Sequence, residues 1–296
     1  MTKRKDIKNI TASIKERLLN ISRLEQRDYQ AVFKQYIQER MLYRISVSPY
    51  ANCFILKGAL LFLLYNISRM RPTKDIDLMG SNIPNDLTTL KNVFKEIAVI
   101  ESDDGLIFDP QSITTERIIE DGNYKGIRIG IEVKLDKARD RIQIDIGYGD
   151  KIYKGPVEME YPVLLGHSVP RIWVYTIESA IAEKYEAIVS IGLATSRMKD
   201  FYDANKCRFV SKELFEAIQL TFSNRNTDIA ERNIIYENSF KSDPQKQTQW
   251  TAFLSKNKLK ADNKFENVVN KIHRLIEPLF NSTNAKTWNP EKWSWE

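Results

Sequence analysis

The segment Lys74-Asp75-Ile76-Asp77-Leu78-Met79 alternates polar and apolar residues, the period of a half-buried strand. Residues i and i+2 of a strand share one face about 6.6 Å apart, so Asp75 and Asp77 project together. Two carboxylates held that way cannot be buried uncompensated. They repel unless a cation sits between them, and hard oxygen ligands suit Mg²⁺. A third acid follows in Arg141-Ile142-Gln143-Ile144-Asp145-Ile146, where the isoleucines take one face and leave Gln143 and Asp145 on the other. Three carboxylates from two neighbouring strands could hold two Mg²⁺ ions, the arrangement that clamps the attacking and leaving oxygens of phosphoryl chemistry. The ordinary alternative is the solvated face of a strand and a hairpin. The apolar flanks Ile76, Leu78 and Met79, and a glycine corner at Gly58 some twenty residues earlier, favour a site.

A second cluster combines Lys184 with Ser196-Arg197-Met198-Lys199-Asp200-Phe201-Tyr202-Asp203. Lys199 and Asp203 have the i,i+4 spacing of a surface helical pair, worth only tenths of a kcal/mol. Lys184 sits in an otherwise apolar helix beside Ala182 and Tyr185, where it must meet an anion or reach solvent. A nucleotide phosphate would supply the anion.

The elements that position these groups can be read from periodicity. Residues 11–45 read as helical, with Ser13-Ile14-Lys15-Glu16 as a capping box and Tyr29, Phe33, Tyr36, Ile37 and Met41 as a buried stripe; Ser48-Pro49 closes the segment. Phe54-Ile55-Leu56 predicts a short buried strand that turns at Gly58 into an apolar helix through Ile67. Arg71-Pro72-Thr73 predicts a turn before the Asp75 strand. A helix is predicted over 85–98, capped by Asn85 or Asp86. Gly126–Leu135 and Arg141–Ile146 predict a hairpin joined by Asp136-Lys137-Ala138-Arg139-Asp140. After Pro170 the signals turn helical: Thr176 caps a helix with Ile177, Ala180, Ile181, Tyr185, Ile188 and Val189 inward, ending at Gly192. Further helices are predicted near Ser196 and over 264–280. The polar stretch 223–262 gives no clear boundaries.

The chain has 296 residues, 42% of them hydrophobic and 10% aromatic, enough apolar side chain for a packed core and against wholesale disorder. The longest apolar run, Ala59–Tyr65, is far short of the ~20 residues that cross a bilayer, and no signal-peptide pattern opens the sequence. Cys53 and Cys207 lack metal-ligand spacing and there are two histidines, which argues against zinc and disulfide scaffolds. A cytoplasmic protein is the expectation. Residues 1–45 hold eleven Lys/Arg against five acids, the whole of the net +6. A basic helical segment on a neutral body suits a polyanion such as RNA, or is a solvated helix face.

The ordered blocks Ile55-Leu56-Lys57-Gly58-Ala59-Leu60-Leu61, Arg71-Pro72-Thr73-Lys74-Asp75-Ile76-Asp77-Leu78, Tyr124-Lys125-Gly126-Ile127-Arg128, Ile144-Asp145-Ile146-Gly147-Tyr148-Gly149-Asp150, Tyr161-Pro162-Val163-Leu164-Leu165, Ala182-Glu183-Lys184-Tyr185-Glu186-Ala187 and Ser196–Asp203 resemble the motifs of the AbiEii-type nucleotidyltransferase toxins of abortive-infection and type IV toxin–antitoxin systems. The likeness covers roughly 50–205. It implies an α+β fold similar to the DNA-polymerase-β nucleotidyltransferases, with a mixed-sheet nucleotidyltransferase domain (49–168) and a helical C-terminal domain (169–296) completing the active site; the basic helical N-terminal segment (1–48) lies outside the motifs. It implies Asp75, Asp77 and Asp145 as Mg²⁺ ligands, with Asp145 taking the proton of the acceptor hydroxyl. Gly58 would admit backbone to the triphosphate, and Lys184 would neutralise phosphate charge. Asp200 matches a further essential position, orienting Lys184 or the base. Lys57, Arg71, Lys74, Arg197 and Lys199 are the expected nucleotide contacts. Relatives often carry Gly-Gly or Gly-Ser at the corner; this chain has Gly58-Ala59, leaving backbone N–H groups alone to serve there.

The resemblance implies transfer of a nucleoside monophosphate from an NTP to RNA, the tRNA 3′ end. The alternatives are transfer to a protein or small-molecule hydroxyl, and a toxin that sequesters GTP without transfer. Retention of all three acids favours an enzyme. The cognate antitoxin need not touch the toxin.

Overall fold

The computed structural model describes residues 3–65, 73–120, 124–203, 209–281 and 286–296; Arg71, Cys207 and the end of the helix expected through Ile67 lie outside them. The chain forms two compact units. The first comprises 1–64, 72–149 and 157–174, the second 65–71, 150–156 and 175–296.

The first unit opens with α1 (Lys3–Leu24) and α2 (Tyr29–Ser46), where a single helix over 11–45 with a cap at Ser13 is expected. Ser13 lies mid-helix in α1. The break comes at Gln26, whose φ is +52°, and the real cap is Asp28, which accepts from Ala31 N at 3.2 Å. The chain continues as β1 (Phe54–Lys57), α3 (Gly58–Leu61), β2 (Asp75–Gly80), α4 (Leu87–Ala98), β3 (Ile107–Phe108), β4 (Thr114–Glu120), β5 (Tyr124–Leu135), β6 (Ala138–Gly147), β7 (Val157–Glu160) and β8 (Arg171–Val174). A 3-10 turn, Phe62–Tyr65, continues α3, and Asp86 caps α4 by accepting from Thr89 N. The strands form one mixed sheet in the order β3-β5-β6-β2-β1-β8-β7, with β4 also on β5. The pairs β2–β6 and β1–β8 are parallel; β1–β2, β5–β6 and β7–β8 are antiparallel.

The period-two pattern fixes which face is core. Ile127, Ile129, Ile131, Ile142, Ile144, Ile146, Ile76 and Leu78 are all buried, and truncating any one to alanine would cost about 2–5 kcal/mol. Asp75, Asp77, Arg128, Gly130, Arg141, Gln143 and Asp145 alternate with them and therefore occupy the opposite face. The five-residue charged link expected in the hairpin shrinks to Asp136-Lys137, with Asp136 at φ +53°. Ala138, Arg139 and Asp140 instead pair with Leu135, Lys134 and Val133. β3, β4, β7 and β8 are additions to the elements read from sequence.

Three of the eleven cations of 1–45 are held by acids within this unit beyond the segment itself. Arg40 and Arg44 are buried on Asp104, with Nε–Oδ2 at 3.1 Å and Nη1–Oδ2 at 2.5 Å, and Lys34 Nζ meets Asp140 Oδ1 at 2.6 Å.

The second unit contains α5 (Ile177–Ile191), α6 (Met198–Asp203), α7 (Ser211–Arg225), α8 (Asn233–Tyr236), α9 (Asn238–Lys241), α10 (Pro244–Asn257), α11 (Phe265–Ile276), α12 (Pro278–Asn281) and a small ribbon of β9 (Trp288–Asn289) and β10 (Ser294–Trp295). Thr176 caps α5 by accepting from Ser179 N, and Gly192 ends it at φ +53°, as the sequence predicts. The polar stretch 223–262 forms helices that bury Ile235, Phe240, Trp250 and Leu254. No described helix is long and apolar enough to cross a membrane. The fold is α+β: a mixed sheet with helices, and a helical C-terminal part.

Candidate active site

Two register relations assemble the acids. Parallel pairing of β2 with β6 sets Asp77 beside Asp145 and Asp75 beside Gln143. Antiparallel pairing of β1 with β2 sets Lys57 opposite Asp77. Asp75, Asp77 and Asp145 each offer an oxygen within 4.8 Å of the others; the first two are half-buried and Asp145 is buried. At that separation, with an effective dielectric of about 20, each pair of ionised carboxylates repels by about 3 kcal/mol. The fold holds them together by directed contacts. Thr73 Oγ1 donates to Asp75 Oδ1 at 2.6 Å. Arg128 grips Asp145 with both arms, Nε to Oδ1 at 2.9 Å and Nη2 to Oδ2 at 2.8 Å. Gln143 Nε2 adds a bond to Asp145 Oδ2 at 3.2 Å. The Asp145 ion pair in turn keeps the Arg128 guanidinium firmly protonated, its pKa raised by the hydrogen bond to that carboxylate.

Gly58 explains the close approach of β1 to this cluster. Its φ is +71°, and a Cβ there would stand 2.7 Å from Asp77 Cβ, 2.6 Å from Cγ and closer still to Oδ2. The residue is glycine because the Asp77 carboxylate lies where a side chain would begin. Lys57 is buried and Lys74 is exposed. The residues fit a divalent metal: all three ligands are hard oxygen donors, and two remain half-exposed.

In the second unit the anion that Lys184 requires is supplied from within. Its Nζ lies 3.1 Å from Asp200 Oδ1 and 2.8 Å from Asp203 Oδ2. Asp203 thus pairs with Lys184, where the i,i+4 spacing suggests Lys199; Lys199 is exposed. Arg197 Nε meets Asp200 Oδ2 at 2.6 Å. Burial alone would raise the Asp200 carboxyl, but the Lys184 and Arg197 cations, with Lys199, override it and hold it at about 2 against an ordinary 3.8. Because the folded value lies below the unfolded one, Asp200 contributes about 2 kcal/mol above pH 4, lost as pH falls from about 4 to about 2. Lys184→Met removes the cation shared by two buried carboxylates, leaving Asp200 with Arg197, and should cost about 3–5 kcal/mol. Thermal denaturation would show this, and adding Asp200→Asn and Asp203→Asn should restore most of the loss.

Sequence reading brings out Asp75, Asp77, Asp145, Lys184 and Asp200, pairs Asp203 with Lys199, and gives no role to Arg128 or Arg225. Arg225 is buried on α7 with Asp150 at 3.0 Å, Glu183 at 3.4 Å and Glu186 at 2.8 Å. A signal for Arg128 exists: counting outward from the Asp136-Lys137 turn places it opposite Asp145.

Among solved structures the chain is similar to JHP933 from Helicobacter pylori, at 13% identity and a TM-score of 0.45, over 86% of this chain and 96% of that one. It is also similar to a candidate nucleotidyltransferase from H. pylori, at 14% identity and a TM-score of 0.46, over 85% and 98%. No curated protein matches it in sequence. The family described as nucleotidyl transferase AbiEii toxin, type IV TA system, matches residues 40–271, a span that contains every acid and cation of both clusters. The chain belongs to the AbiEii nucleotidyltransferase toxin family.

Proposed function

We propose that this protein is a Mg²⁺-dependent transferase that moves a nucleoside monophosphate from an NTP to the terminal hydroxyl of an RNA, the tRNA 3′ end, and so acts in the cytoplasm as the toxin of a type IV pair. The observation that carries this reading is the convergence of Asp75, Asp77 and Asp145 within 4.8 Å. These three residues would hold the metal, which when bound supplies positive charge to the phosphate oxygens.

The acceptor hydroxyl oxygen bonds to the α-phosphorus, the bond from that phosphorus to the bridging oxygen breaks, and pyrophosphate leaves. Asp145 takes the hydroxyl proton. Arg128 fixes the orientation of both Asp145 oxygens, so the base is positioned before substrate arrives. Lys57 and the backbone at Gly58 face the departing phosphates. The resemblance assigns Lys184, Arg197 and Lys199 to the nucleotide, with Asp200 orienting Lys184 or the base; Lys184 would exchange one of its internal acids for a phosphate to serve there. A cognate antitoxin acts without having to contact the toxin.

Purified protein incubated with total bacterial tRNA, Mg²⁺ and each α-labelled NTP in turn tests this. Label should enter RNA from one or two of the four, and Asp75→Ala should abolish it. Label appearing in protein or a small acceptor would replace RNA as the substrate. NTP binding with no transfer to any acceptor would leave only sequestration.

A further inference from the structure

The polar face of the sheet continues beyond the acids into a cleft of about 340 Å³, at the lower end of ligand-site volumes of roughly 300–1,000 Å³. Lys34, Lys74, Arg128 and Arg141 line it together with Thr114 and Gln143, against one carboxylate, the exposed Glu116. Three of the four cations are held in place. Lys34 Nζ donates to Asp140 Oδ1 at 2.6 Å and to the Arg141 carbonyl at 2.8 Å. Arg141 bonds Glu132 at 3.1 Å and the Thr114 hydroxyl. Arg128 is anchored on Asp145.

Gly130 makes room for this arrangement: a Cβ there would stand 2.7 Å from Arg141 Nε and 2.8 Å from Cζ. The guanidinium therefore lies over Gly130 on β5. Lys74 is exposed and makes no hydrogen bond or ion pair among the described residues. Fixed, partly exposed cations with spare N–H donors recognise phosphate.

The place of the cleft in the sheet says whose phosphate. The cleft is lined from β4, β5 and the start of β6, with Lys74 just before β2, and Lys57 and Gly58 lie beyond β2 at the end of β1, so Asp77 and Asp145 stand between most of the cleft and that corner. In-line displacement sets the attacking and leaving oxygens on opposite sides of the phosphorus. With the departing phosphates at the β1 corner, the nucleophile enters from the β5 side, past Asp145. We propose, resting on the transferase reading above, that this cleft seats the phosphodiester backbone of the acceptor RNA just upstream of its reacting hydroxyl.

The test measures binding and turnover separately. A 5′-fluorescent RNA hairpin with a single-stranded 3′ tail is titrated with the full chain by anisotropy at several salt concentrations, and KM for the NTP is measured in parallel. Lys74→Gln and Arg141→Gln should each weaken hairpin binding about fivefold to tenfold, and shallow the salt dependence by roughly 0.7 per cation removed. KM for the NTP should stay unchanged in both, which moves Lys74 from the nucleotide, where the sequence resemblance sets it, to the RNA. Lys74 is exposed, so its variant keeps the fold intact. Arg171→Gln, at the exposed first residue of β8, should leave binding as it is. Hairpin affinity unmoved by both cleft variants, a wild type that does not bind the hairpin, or a rise in NTP KM in its place would each overturn the proposal. RNA labelling by variants that bind RNA like wild type would sink the cleft alone. Loss of binding in the variants, with no transfer by wild type, would uphold the cleft and sink the transferase reading.

Discussion

Alanine at position 58 is expected to lower nucleotidyl transfer by ~10²-fold or more, the scale on which a displacement of about 1 Å in a catalytic group acts, while the protein still folds. Two effects combine at this residue. A φ of +71° disfavours any L side chain by roughly 1–2 kcal/mol, and the new Cβ must push the Asp77 carboxylate from its position. The second effect is the one that reaches chemistry, since Asp77 faces Asp145 in register. Gly192→Ala separates the two. Gly192 has a φ of +53° and open space for 4 Å around the point where a Cβ would stand, so it incurs backbone strain alone. By differential scanning fluorimetry both variants should lose a few degrees of Tm, on the order of 2–4 °C per kcal/mol for domains of this size. Only Gly58→Ala should lose activity steeply.

Asn in place of Asp145 should lower kcat by ~10³-fold, within the range for loss of a general base, with little change in thermal stability. The substitution keeps shape and one acceptor oxygen for Arg128. It removes the charge that a bound cation would need and the oxygen that takes the proton in the proposed reaction. Arg128 is about one-third exposed, so water can solvate the arm that loses its partner, and the stability penalty stays small. Steady-state kinetics with NTP and RNA varied in turn would check this: kcat should fall while KM for the NTP holds.

The acids are more legible in the sequence than the arrangement that joins them. Period-two alternation identifies Asp75, Asp77 and Asp145 on the polar faces of their strands, because every intervening residue is a β-branched or large aliphatic one that only burial explains. The parallel pairing of β2 with β6 is not legible. It joins strands separated by α4 and by β3, β4 and β5, and nothing local encodes that register. The short strands escape for a related reason. β8 is four residues, Arg171–Val174, directly after Pro170, and β7 reads Val-Glu-Met-Glu with mostly exposed side chains; each exists because a neighbour supplies its hydrogen bonds. Ser13 misleads because a capping-box pattern is satisfied equally well by residues inside a helix, and the true boundary rests on Asp28 and a left-handed Gln26. Lys184 is a lysine in need of an anion, as its apolar helix implies, but two acids of the same unit, sixteen and nineteen residues on, supply it ahead of any ligand.

Where the label sits decides whether three converging carboxylates serve transfer of a nucleotide with loss of pyrophosphate. Wild-type protein, Mg²⁺ and tRNA are given one NTP labelled at the α-phosphate or at the γ-phosphate, and pyrophosphate is counted alongside. The expected result is α-label in RNA, no γ-label, and one pyrophosphate per nucleotide added. Transfer of γ-label to any acceptor, or NTP consumption without pyrophosphate, would contradict it.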